Sequence, residues 1–357
     1  MQNLNRRDFI GAAVGAVAAL NAPHLFAAGK KAPSKSKVST VRGNDLARMT
    51  LDSLEALGGM KTVVNEGETV FIKPNFVNAP WAKHNKCFAT GECTKPEIIL
   101  AVTEECLKAG ARQVIIGDGS QLPKYEWKHL KTLDGKKDMV TEAKRLSSKY
   151  SGNIKLACLE VDSPGWVEVP SKCKQKKIAI SDMVTKADRI ITIPVAKTHS
   201  WAQLTLGLKN FIGITPLKRY AQLIDKTWWN RGSIDHSSPR AISQVYLDIV
   251  KAIKPDLSIV DFSVCLESNG PSVGQGGKTV DVKKRIGSWA VIASKDIMAA
   301  DATAARIMSH DVKKMKQLTM GYAMGLGQID ERSIEIVGEK LEKLAMKWKP
   351  AQIKGHM

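Results

Sequence analysis

The 357-residue chain is 43% hydrophobic and 25% charged, with a formal net charge of +19. This length can bury a full core in one large domain or in two lobes sharing a sheet. A cationic surplus of this size suits nucleic acid, an acidic surface or an anionic ligand, but no RNA-binding signature, zinc-finger spacing or helix-turn-helix is present, so no nucleic-acid partner is expected.

Residues 1–28 read as a twin-arginine signal peptide. Arg6-Arg7 precedes Phe9 and Ile10, an apolar run spans Gly11 to Leu20, and Ala27-Ala28-Gly29 offers a cleavage site. These are the parts of a secretory signal. The run ends at Asn21 and Pro23, short of the roughly 20 apolar residues of a spanning helix. The expected partner is therefore the twin-arginine translocation machinery, the expected location the periplasm or another exported site, with no stable membrane span. That route carries folded proteins, often with a cofactor already loaded, and leaves the cofactor's identity open. Residues 29–42, rich in Ser, Lys and Pro, read as a flexible basic linker.

An α/β domain is expected over residues 43–340. Leu46 to Leu57 reads as a helix stopped by Gly58-Gly59, and Glu68 to Lys73 as a strand closed by Pro74. Thr94-Lys95-Pro96-Glu97 has the form of a capping box with an early proline. The helix it opens carries Ile98, Ile99, Val102, Cys106 and Leu107 on one face, and Arg112 to Ile116 follows as a strand. Strand, helix, strand with short joins is a βαβ unit. Arg189–Ile193, Leu257–Val260, Trp289–Ala293 and Ser333–Val337 read as further strands, with helices over 241–253 and 296–308. The alternation predicts a mostly parallel, doubly wound sheet flanked by helices. Residues 341–357 read as a basic C-terminal helix or tail.

Several strands end in a polar residue: Lys73 with Asn75, Asp118, Lys197 with His199, Asp261, and Asp296. Ligands of open α/β sheets bind outside the carboxyl ends of the strands, so these residues could share one cleft, although each strand must also leave the core through something polar. A second signal is an absence of acid. From Arg189 to Ile224 there is no Asp or Glu, while Lys197, His199, Lys209, Lys218 and Arg219 are present among many apolar residues. Lysines near a core without carboxylates call for a carboxylate, phosphate or sulfate. Trp228-Trp229 after Lys226 could add a lid or stacking platform, buried aromatics being the plainer reading.

Other motifs fail. Counting back from Gly277-Lys278-Thr279, the first glycine of a phosphate loop falls on Ser272. Gly117-Asp118-Gly119 lacks the third glycine of a dinucleotide fingerprint, and no Gly-x-Ser-x-Gly elbow occurs. Six cysteines permit disulfides in an exported protein. His84, Cys87 and Cys93 share a loop, but their spacing matches no standard zinc or iron–sulfur pattern, so no metal ligand set is expected.

Taken in order, these residues resemble the domain-of-unknown-function 362 family. The likeness rests on Ile72-Lys73-Pro74-Asn75, Val114 to Asp118, Lys197-Thr198-His199, Leu208-Lys209-Asn210 to Gly213, His236, Lys254 to Asp261, and Ser294-Lys295-Asp296 with Asp301. It spans roughly residues 45–338, with the Lys-Thr-His and Lys-Asn elements the most specific. The resemblance implies a prokaryotic α/β protein and assigns no reaction to it. Some relatives carry a ferredoxin-type cysteine cluster, whose Cys-x-x-Cys-x-x-Cys run this chain lacks. The layout is also similar, by analogy alone, to lactate racemase-type proteins.

The reading that follows is an enzyme acting on a small anionic ligand. His199, Lys197 and Asp261 are the candidate catalytic groups, His199 for proton transfer with an Asp to orient it. Lys73, Asn75, Asp118, Lys209, Asn210, Lys218 and His236 are the candidate binding groups. A non-catalytic binding protein and a metal- or redox-linked accessory protein are the alternatives.

Overall fold

Strands buried on both faces read as unbroken apolar runs, and Val70-Phe71-Ile72, Val114-Ile115-Ile116 and Ile190-Ile191 form the middle of a sheet. The computed structural model describes residues 35–84, 86–223 and 229–354. The signal segment, and Lys226 and Trp228 of the suggested lid, lie outside the described residues.

The strands of the main sheet are β1 (Ser36–Gly43), β2 (Thr69–Pro74), β3 (Gln113–Asp118), β4 (Asn153–Cys158), β5 (Arg189–Ile193) and β6 (Val195–His199). They continue with β7 (Gln203–Thr205), β8 (Leu257–Ser268), β9 (Gly277–Asp281), β10 (Trp289–Ser294) and β11 (Ile334–Gly338). Their spatial order is β11-β1-β10-β8-β5-β2-β3-β4. From β4 to β8 every neighbour is parallel, as is β11 to β1, whereas β10 runs antiparallel to both β8 and β1. Off this path, β6 pairs with β8 and β7, and β9 with β8.

Side chains alternate across the sheet. Val70, Ile72, Val114 and Ile116 pack under α1 (Leu46–Glu55), α2 (Pro96–Lys108) and α3 (Met139–Tyr150). Phe71, Ile115, Val260 and Phe262 face the opposite way, toward α4 (Pro239–Ile253), α5 (Ile297–Ile307) and α6 (Lys316–Ala323). Burial of each such apolar side chain contributes about 1.5–3 kcal/mol. Helices on both faces of a mostly parallel sheet make the fold doubly wound. No helix among the described residues is long and apolar enough to cross a membrane.

Three sequence readings need correction. Residues 36–42 are not linker: β1 is held antiparallel by β10 and parallel by β11. Its Ser39 and Thr40 are buried because their hydroxyls are satisfied, Ser39 by Ser53 at 2.5 Å and Thr40 by the Glu339 carbonyl at 2.7 Å. The expected C-terminal helix is a single turn, Leu341–Leu344, and the chain then runs extended. Leu344, Met346 and Trp348 are buried at every second position, the period of a strand rather than of a helix. The capping box does not form either, since Lys95 is the N-cap and gives no side-chain cap. Thr94 instead accepts from the Asn75 amide (2.9 Å) and donates to the Ile193 carbonyl (2.6 Å).

Candidate functional site

The carboxyl ends of β2, β3 and β6 open into a cavity of about 370 Å³. Lys73, Asn75, Asp118, Lys197, His199, Lys209, Asn210 and His236 all line it, so eight of the expected site residues come together. Two do not. Lys218 is exposed on the Leu217–Tyr220 turn, away from the cavity. Asp261 lies inside β8 rather than at a strand end, because β8 continues to Ser268, and there it pairs with the buried Lys95 (3.3 Å). Asp296, also a strand-end candidate, caps α5 and accepts from Ser36, outside the cavity.

A buried network fixes the floor. Lys73 forms an ion pair with Asp118 (2.7 Å) and donates to the Pro74 carbonyl (2.8 Å). The other Asp118 oxygen accepts from the Phe76 amide at 2.7 Å. Asn210 reaches back from the Gly207–Asn210 turn, donating to the Lys73 carbonyl (2.9 Å) and to Thr192 (3.0 Å), and it accepts from Asn75 at 3.0 Å. Lys197 donates to the Asn75 side-chain oxygen (2.6 Å) and the Glu92 carbonyl (2.7 Å). Gly213 lies against the Lys73–Asp118 pair so closely that a β-carbon there would strike both side chains.

The charge state follows from burial. Desolvation pulls the Lys197 amine down to about 8, against the opposing pull of Cys93 and Glu92. It pulls Lys209 down to about 7, helped by the positive charges of Lys197, Arg231 and Lys73. Lys73 is lowered by burial too, with Asp118 resisting. His199 is held well below its ordinary value by burial and then by Lys209, and His236 falls to about 4 for the same leading reasons. Both imidazoles are neutral at pH 7.

Their hydrogen bonds assign the tautomers. His199 Nδ1 accepts from the Trp201 amide (3.1 Å), which puts its proton on Nε2. His236 Nδ1 lies 2.7 Å from the Ile234 carbonyl, so it carries the proton and leaves a lone pair on Nε2. One ring therefore donates and the other accepts. The Trp201 backbone orients His199, and no Asp among the described residues does.

Sequence reasoning missed Arg231, which lines the cavity and donates to the carbonyls of Gly119, Ser120 and Thr215. Burial lowers it to about 10. It escaped notice because Asp225 ends the acid-free segment before it. Lys354 was missed as well. The extended segment after Trp348 is tied down by Lys349 to Glu267 (3.0 Å), Gln352 to Asn269 (2.9 Å) and the Lys354 amide to the Ser200 carbonyl (2.9 Å). This brings the Lys354 ammonium to the rim, 5.4 Å from the Trp201 ring centre.

Cys87 and Cys93 are buried thiols hydrogen-bonded to each other, whereas His84 is exposed. Among the described residues, no group of three or more His, Cys, Asp and Glu is placed to hold a metal.

Comparison with known proteins gives a sequence relative and two structural ones. A thylakoid-associated protein of Synechocystis is 27% identical over 277 residues, covering 76% of this chain and 73% of the relative. A protein from Thermotoga maritima aligns with a TM-score of 0.43 at 11% identity over 75% of this chain and 60% of its own. The lactate racemase apoprotein from Thermoanaerobacterium thermosaccharolyticum aligns with a TM-score of 0.38 at 11% identity, over 78% of this chain and 57% of its own. The aligned part thus spans less than two thirds of either solved structure. The model of the domain of unknown function DUF362 matches residues 70–306, from β2 through α5, and the chain belongs to that family.

Proposed function

We propose that the cavity is the active site of an enzyme that performs acid–base chemistry on a small molecule bearing a carboxylate or a phosphate. The observation that carries this reading is the pairing of cations with two neutral histidines of opposite tautomer in one cavity. Lys197 and Lys209 hold the anion. His199 donates from Nε2 to an oxygen that gains charge, and His236 accepts a proton at Nε2. Lys209, drawn down to about 7, is divided between amine and ammonium near neutrality and serves either as charge or as base. Asp118 holds Lys73 in place through their ion pair. Asp261, anchored to Lys95, takes no part.

Calorimetric titration with acetate and inorganic phosphate tests this directly. Replacing Lys197, Lys209 (each by Met) or His199 (by Gln) should weaken binding about tenfold or more, the loss of one charge-assisted hydrogen bond. Unchanged binding in all three variants rejects the reading. Incorporation of solvent deuterium into a bound carboxylic acid separates an enzyme from a binding protein.

We also propose that the protein works outside the cytoplasm, delivered folded by the twin-arginine machinery. Support comes from Arg6-Arg7 and the short apolar run after it. A folded reporter fused behind residues 1–34 should reach the periplasm only with both arginines intact; export of an Arg6→Lys, Arg7→Lys double variant at the normal rate would refute this.

A further inference from the structure

We infer that the ligand of this cavity is a dianion, either two carboxylates on one small molecule or a phosphoryl group, and that it enters together with protons. The inference rests on the anion-site reading above and specifies the charge that site takes.

A charge removed from water needs a counter-charge. Two of the cations in this region have one: Lys73 has Asp118 at 2.7 Å, and Lys95, beneath the floor, has Asp261 at 3.3 Å. Three others, the buried Lys197 and the half-buried Lys209 and Arg231, have no ion-pair partner among the described residues. Lys197 is bonded to an amide oxygen and a backbone carbonyl. Arg231 is bonded to three backbone carbonyls. Lys209 Nζ has no hydrogen-bond partner among the described residues.

The nearby carboxylates are committed elsewhere. Glu92 accepts from Asn78 and Thr90 (2.7 Å each) and from the Val273 amide (2.8 Å). Glu160 accepts from the amides of Leu217 (2.5 Å) and Lys218 (3.3 Å). A ligand with a single charge would leave at least two of the three cations uncompensated. Four residues of the cavity wall carry a buried polar atom without a partner among the described residues: Trp201 Nε1, Thr205 Oγ1 and Asn230 Nδ2, all able to donate to an anion, and Gln275 Oε1, an acceptor. At about 370 Å³ the space is at the low end for ligand pockets, which points to a small dianion rather than to a large polyanion such as a nucleotide.

Proton linkage follows from the same arrangement. Lys209 faces Lys197, Arg231 and Lys73; Lys197 faces Lys95, Cys93, Glu92 and Asp118; His199 and His236 feel Lys209. Burial lowers the two amines, Lys209 to about 7 with its three cationic neighbours adding to the effect, and Lys197 to about 8 against the pull of Cys93 and Glu92. An anion beside them raises both values again. Binding near and above neutral pH must then take up protons, and affinity must fall as pH rises through that range.

Calorimetry with succinate, inorganic phosphate and butyrate at pH 7.5, in two buffers of different ionisation enthalpy, tests the inference. Succinate or phosphate should bind about tenfold or more tighter than butyrate. Succinate, already fully ionised, should bind with net proton uptake. Lys209→Met should cut affinity for the dianion about tenfold; Lys209→Gln replaces it if the Met variant does not fold. Phosphate alone binding tightly would assign a phosphoryl ligand, and succinate alone a dicarboxylate. Butyrate within about twofold of both dianions, or succinate binding without proton uptake, overturns the inference and leaves the anion-site reading intact. No binding by any of the three rejects that reading itself.

Discussion

The carboxylate of Asp301, inside α5, accepts a hydrogen bond from the Gly207 amide at 2.8 Å, and its second oxygen one from the Leu208 amide at 3.0 Å. A helix on one face of the sheet thereby holds the first two residues of the turn that carries Lys209 and Asn210 into the cavity. Burial raises Asp301 to about 7, with the two amides opposing. A carboxyl raised in the folded state binds more protons folded than unfolded. Its contribution to stability is therefore complete below the ordinary Asp value and is lost as pH rises toward 7. Thermal unfolding followed from pH 4 to pH 8 should show this decline in the wild type and a flatter profile in Asp301→Asn. An equal slope in both proteins would exclude Asp301 as its source.

Removing one half of the Lys73–Asp118 pair should cost more than removing both. Asp118→Asn leaves the Lys73 ammonium buried against neutral groups, a loss of about 3–5 kcal/mol. A double variant, Lys73→Met with Asp118→Asn, leaves no uncompensated charge and should recover part of it. Urea unfolding of the two single variants and the double variant gives the coupling energy. Strict additivity would mean that the pair does not act as a unit.

Neither cavity histidine should titrate near the ordinary imidazole value. Nitrogen-15 spectra of histidine-labelled protein should place His236 near pH 4, as burial and then Lys209 dictate, and His199 well below the ordinary imidazole value. The shifts should also report protonated Nε2 on His199 and protonated Nδ1 on His236. Histidines with depressed values stabilise the fold above the unfolded pKa and lose that contribution as pH falls. A ring titrating at its usual value would contradict the buried arrangement.

The cysteines should be inert in the native protein. All six are buried. Hydrogen bonding to Cys93, followed by burial, pushes the Cys87 thiol up, and burial raises Cys106, Cys265 and, to about 11, Cys158. Iodoacetamide acts on the thiolate, so Cys158 should react more than about a hundredfold slower than in denaturant. Rapid native labelling at Cys158 would show that the end of β4 opens.

The site was legible in the sequence wherever chain order put the signal in one place. Lys197, His199, Lys209 and Asn210 sit in one acid-free segment, and Lys73, Asn75 and Asp118 follow apolar strand cores that announce themselves. Asp261 misled because a parallel strand ending at Val260 has the same local composition as a long strand passing through Asp261 to Ser268. Its partner Lys95 lies 166 positions away and sends no local signal. Lys218 misled for the opposite reason: it shares the acid-free segment, but its turn directs it to solvent. The order of β1 was hidden by polar residues whose hydroxyls find partners only in the folded sheet.

The strap from Leu344 to Lys354 also bears on the timing of assembly. A nascent chain leaves the ribosome N-terminus first, so β2, β3, β6 and the Gly207–Asn210 turn are all available before Trp348 can dock or Lys354 can reach Trp201. The rim is therefore closed only after synthesis has passed Lys354, and a chain stalled a few residues earlier would present an open, poorly retentive cavity.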